Sequence, residues 1–127
     1  MITPVWNLPP EKIARYRDTA IRRLNQHKSE INVRKNRAWE LAHLAARLLR
    51  ENYNAKRVVV FGSLIHEGCF NNWSDVDIAA WGIPSNLTLR AMGAVLELDK
   101  QQEINLVDIN TCSPSLLTII EQEGKDL

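Results

Sequence analysis

The chain has 127 residues, enough for one domain with a modest core. An apolar fraction of 45% is that of an ordinary folded protein, and no run approaches the roughly 18 apolar residues of a membrane helix. The net charge of +1 hides a division: residues 1–57 carry 13 Lys and Arg against 5 Asp and Glu, a net of +8, while residues 58–127 carry 3 against 10, a net of −7.

Residues 1–10 hold three prolines and no periodicity and read as an irregular arm. Met1-Ile2-Thr3-Pro4 offers neither a charged n-region nor an apolar h-region, so a cytoplasmic setting is expected. There Cys69 and Cys112, which lack metal-ligand spacing, are expected as free thiols. Between Pro10 and Gly62 no glycine or proline interrupts the chain. Ile13, Ala20, Leu24, Ile31, Ala38, Leu41, Ala45 and Leu48 recur at helical spacings. Asn25 to Arg37 is polar, with poor helix formers at Asn25, Asn32 and Asn36. The pattern allows either one helix over 11–52 or two helices that break near 26–34. Arg37 to Glu51 carries a stripe of Trp39, Leu41, Ala42, Ala45, Leu48 and Leu49 that can cover a sheet.

Arg57 to Phe61, with the continuous apolar run Val58-Val59-Val60-Phe61, reads as a buried strand. Leu64 to Glu67 should form a short helix or turn stopped by Gly68, and Cys69 to Ser74 a loop. Asp75 to Trp81 reads as a second strand, ended by Gly82 and Pro84. Asn86 to Lys100 is amphipathic, with Leu89, Met92, Val95 and Leu96 on one face. Glu103 to Ile109 reads as a third strand. Ser113 is placed to cap a last helix with Pro114 at its first position, ending at Gly124. The order gives an α/β fold: a small sheet with flanking helices, preceded by a long N-terminal helix or helix pair. Local pattern does not decide how the strands pair. Residues 1–36 are expected as an arm and basic helix, and residues 37–127 as the folded domain.

The chemistry-bearing residues lie where strands end. Gly62-Ser63 follows the first strand, and a glycine-serine turn there can cradle a phosphate with backbone N–H groups. Asp75 and Asp77 stand two apart on a strand, so both side chains point one way. Two carboxylates that close repel unless a cation lies between them. Mg²⁺ carried by a nucleoside triphosphate is the natural candidate, since it takes one or two carboxylates plus phosphate oxygens. Trp73 and Trp81 stand near enough in sequence to stack on a base, although packing is the commoner role for each. His43 and His27 read as packed or solvated side chains.

As a set, Gly62, Ser63, Asp75, Asp77 and the later acid Asp108 in Ile104-Asn105-Leu106-Val107-Asp108-Ile109 resemble the minimal nucleotidyltransferases of the DNA-polymerase-β-like superfamily. The resemblance covers about residues 37–127. It implies a small mixed β-sheet with Asp75, Asp77 and Asp108 as catalytic and metal-binding residues. It implies Gly62 and Ser63 at the triphosphate, with His66 where relatives often carry a basic residue. Mg²⁺ and ATP are the implied cofactors. Many members of this kind act as antitoxins paired with HEPN-family ribonuclease toxins, and some transfer AMP to that toxin. A HEPN partner is therefore expected, with self-association through the N-terminal helix as a further possibility and no direct nucleic-acid or membrane contact. Alternatives are a non-catalytic binding subunit, or nucleotidyl transfer to a small molecule or an RNA.

Overall fold

The computed structural model describes residues 9–127, so most of the expected arm lies outside the described residues. Helix α1 runs Pro10–Tyr53 without a break. Its first turn is anchored by the N–H groups of Lys12 and Ile13, which donate to the Pro9 carbonyl at 3.0 and 3.1 Å. Proline suits this first position because its missing N–H would be unpaired there. The three asparagines do not break the helix. Each costs only about 0.7 kcal/mol relative to alanine, too little to stop a long helix that lacks glycine and proline. Asn54, in the left-handed region at φ 63°, ends it.

The chain divides into two compact units, one ending at Val33 and one spanning Arg34–Leu127. In the first unit the helix is exposed on most sides, with Tyr16, Leu24 and Val33 all more than 60% exposed. In the second, the α1 residues Ala38, Leu41, Ala42, Ala45, Ala46 and Leu49 are buried. Four alanines in that stripe let the helix backbone approach the sheet closely.

The sheet comprises β1 (Arg57–Phe61), β2 (Val76–Trp81), β3 (Ile104–Asp108) and β4 (Lys125–Asp126), in the order β3-β2-β1-β4. β1 is antiparallel to β2 and to β4, and β2 is parallel to β3, so the sheet is mixed. Between β2 and β3 the chain crosses over through a 3₁₀ turn, Ser85–Leu87, and helix α2, Thr88–Leu96. α2 buries Thr88, Ala91 and Val95. Leu89, expected on the apolar face, is instead 82% exposed. On the α1 side of the sheet the core holds Val58, Val60, Val76, Ile78, Ile104 and Leu106; on the other side Val59, Phe61 and Ala79 pack with Ile120 of helix α3, Pro114–Glu123. Each buried Val, Leu or Ile stabilises by about 1.5–3 kcal/mol.

Ser113 caps α3 as expected, its hydroxyl accepting from the Leu116 N–H at 3.2 Å. Gly124 ends α3 for a reason the sequence does not suggest. Its φ of −64° is open to any residue. A Cβ there would meet Val59 Cγ1 at 2.2 Å and the Ile120 carbonyl at 2.5 Å, so glycine is needed for close packing. The turn feeds β4, whose two residues carry no apolar alternation to reveal them. β4 is held by Leu127 N–H donating to the Val58 carbonyl at 2.9 Å and by Arg57 Nε donating to Asp126 at 2.9 Å.

Candidate functional site

β1 delivers the site. Its last residue, Phe61, pairs with Asp77 of β2. The chain then turns at Gly62, with φ +78°, into a 3₁₀ turn over Gly62–Ile65. A Cβ on Gly62 would meet Asp77 Oδ2 at 2.7 Å. The backbone of the turn and the Asp77 carboxylate are thus in close contact, with glycine the only residue that leaves room. Ser63 is half-buried, its carbonyl accepting from the His66 N–H at 3.3 Å. Phe61 gives the turn no side-chain cap, and among the described residues no side chain hydrogen-bonds to its leading N–H groups.

Asp75 stands one residue before β2, and both aspartates are half-buried on one sheet face. Burial raises the Asp77 pKa above the ordinary aspartate value; a hydrogen bond from Asn105 opposes this and the Asp75 charge adds to it. In the parallel register Asn105 lies directly beside Asp77, and its Nδ2 donates to Asp75 Oδ2 at 3.3 Å. Glu103, two residues earlier on the same face, has its pKa raised chiefly by the Asp75 charge and by a hydrogen bond to that carboxyl.

The register corrects the expected role of Asp108. That residue pairs with Ala80, three positions beyond the Asp77–Asn105 pair, roughly 10 Å along the strand. Three is odd, so its side chain also leaves the opposite face, the one carrying Ile78 and Leu106. Its carboxylate accepts from the Asn110 N–H at 3.0 Å and lines a small cleft with Trp81, Gly82 and Thr88. Asp108 is therefore not a partner of Asp75 and Asp77. The β3 residue beside them is Asn105: Ile104 and Leu106 are core and Asp108 shares their phase, whereas Asn105 faces the other way.

The other expected contacts are placed as follows. The His66 imidazole lies 3.4 Å from Glu123, an ion pair when protonated. Trp73 is 87% exposed on a loop tied by Asn71, whose N–H donates to Ser74 Oγ at 2.9 Å. Trp81 is covered by the Arg57 guanidinium, 4.5 Å from its ring centre. Cys69 and Cys112 are unbridged.

Among the described residues no three His, Cys, Asp or Glu side chains form a ready-made metal cage. The donor set suits something narrower. Two carboxylates against a glycine turn match one Mg²⁺ that arrives with phosphate oxygens and completes its shell with them. They do not supply a third fixed acid.

No protein-family model and no curated protein matches the chain. Solved structures do. A toxin–antitoxin complex with AMP-PNP has a chain 22% identical over 67% of this chain and 70% of that one, with a TM-score of 0.54. A tri-AMPylated Shewanella oneidensis HEPN toxin in complex with MNT antitoxin gives 20% identity, 70% of both chains and a TM-score of 0.51. The toxin–antitoxin complex MntA–HepT gives 20% identity, 69% of both chains and a TM-score of 0.50. The chain has the fold of these antitoxin-complex structures, a small mixed sheet with flanking helices as expected.

Proposed function

We propose that the chain binds a Mg²⁺-bound nucleoside triphosphate, ATP, and transfers AMP from it to a hydroxyl on a HEPN-type toxin, acting as an antitoxin. The observation that carries this reading is the contact between the Gly62 turn and Asp77, which sets a phosphate cradle against a cation-binding carboxylate. The turn backbone and Ser63 hold the β- and γ-phosphates. Asp75 and Asp77 hold the cation, which neutralises charge on the triphosphate as the α-phosphorus is attacked. His66 reaches a phosphate only by leaving Glu123. The partner's acceptor segment approaches the open edge beside exposed Trp73. ATP as donor and two free thiols fit a cytoplasmic setting. No described helix is long and apolar enough to cross a membrane.

A second reading, a subunit that binds nucleotide and toxin without transfer, draws support from Asn105 standing where a third acid would be. Labelled ATP, Mg²⁺ and a purified HEPN protein separate the two. Label on the HEPN protein that vanishes with Asp77→Asn supports transfer. Saturable ATP binding with no label supports the second reading, and no binding at all rejects both.

A further inference from the structure

We propose that Asn105 restricts this site to one divalent cation per bound triphosphate, and so makes it a slow transferase. The inference rests on the nucleotide-site reading above. Asn105 occupies the in-register position beside Asp77 and donates its amide into the Asp75 carboxylate. That donation uses a carboxylate lone pair that a cation would otherwise take. The amide carries no charge to offset a second dication. Two dications about 4 Å apart repel strongly, and sites that hold both supply extra carboxylate charge between or beside them. The acid of β3, Asp108, stands on the other face and cannot help. Glu103, two residues before Asn105, is the nearest further acid; it is exposed and hydrogen-bonded to Asp75, on the side of that carboxylate away from the Asp77–Gly62 contact.

The consequence falls on the acceptor. In transfer, the acceptor oxygen bonds to the α-phosphorus while the bridging α,β P–O bond breaks. Pyrophosphate leaves with that electron pair, and the hydroxyl proton is released. With an amide at residue 105 the in-register position offers no carboxylate to take that proton, and with Asp75 and Asp77 on the cation it passes to water or to exposed Glu103. An aspartate at this position would supply both the proton acceptor and the missing charge.

The test counts cations directly. Free Mn²⁺ is followed by electron paramagnetic resonance as it is titrated into protein saturated with an ATP analogue whose α,β bridge is methylene. Wild type should hold one Mn²⁺ per bound analogue and Asn105→Asp two. Pyrophosphate release from ATP, with water as acceptor, should rise at least tenfold in Asn105→Asp. Two Mn²⁺ in wild type overturn the proposal, and a fall to one in Glu103→Gln would then identify Glu103 as the unsuspected ligand. An Asn105→Asp protein that shows wild-type circular dichroism yet still holds one Mn²⁺ also overturns it. If Asn105→Asp does not fold, the wild-type count alone decides. Failure of wild type to bind the analogue at all overturns the nucleotide-site reading, an outcome distinct from a wrong cation count.

Discussion

At Gly62 a single added carbon would press on the candidate site itself. The backbone there has φ +78°, which strains an L-residue by about 1–2 kcal/mol, and a Cβ would press on Asp77 Oδ2. Gly62→Val should therefore lower stability by about 2 kcal/mol and weaken triphosphate binding more than tenfold. Calorimetric titration with an ATP analogue, beside a thermal melt, checks both; unchanged binding would remove the turn from the site. Asp77 shows the opposite balance. Burial raises its pKa, so the fold prefers it protonated. Its favourable contribution is complete below the ordinary aspartate pKa and is lost as pH rises through the raised value. At neutral pH the ionised side chain thus opposes folding. Asp77→Asn should melt at a higher temperature than wild type at neutral pH, with the gap closing under mild acid, while losing more than tenfold in Mg²⁺-dependent triphosphate binding. Asp108→Ala, on the other face, should leave that binding within about twofold, which is about 0.4 kcal/mol. A loss matching that of Asp77→Asn would contradict the register.

At the scale of elements, α3 and β4 are joined by a contact that admits no side chain. A Cβ at Gly124 would meet Val59 and the Ile120 carbonyl, so Gly124→Ala must move β4 or the end of α3. Overpacking of this kind costs about 1–3 kcal/mol, and denaturant unfolding should register it. Arg57 then loses its hold on Asp126 and Glu121, which now lie 2.9 and 3.3 Å away. α1 poses the reverse problem, a helix whose first half leaves Tyr16, Leu24 and Val33 mostly exposed. Residues 11–37 carry 9 Lys and Arg against 3 Asp and Glu. A basic helix with an apolar seam suits a partner surface that is acidic and partly apolar. On the proposed antitoxin reading, Leu24→Lys should weaken binding of a HEPN protein at least tenfold in pull-down or calorimetry while ATP-analogue binding is unchanged. Equal binding of both proteins would take this segment out of the docking surface.

For the molecule as a whole, the charge division bears on association more than on folding. The basic segment should give partner binding that weakens as salt rises, because exposed charges are screened beyond about 8 Å at physiological ionic strength. Most of the architecture was legible in the chain. The runs Arg57–Phe61 and Asp75–Trp81 announced strands, Ser113-Pro114 announced a helix start, and Gly62-Ser63 announced a turn, which the structure sets against Asp77. These features are local: each depends on period, capping or turn chemistry within a few residues. Three matters lay beyond that reach. Whether α1 breaks depends on the absence of any competing stop as much as on its asparagines. β4 exists because β1 offers an unpaired edge to two residues with no pattern of their own. Asn105 and not Asp108 stands beside Asp77 because a parallel register pairs it there. A register is a relation between distant segments, set by how β2, α2 and β3 pack. Sequence supplied the candidate side chains, and only the tertiary pairing decided which of them share a face.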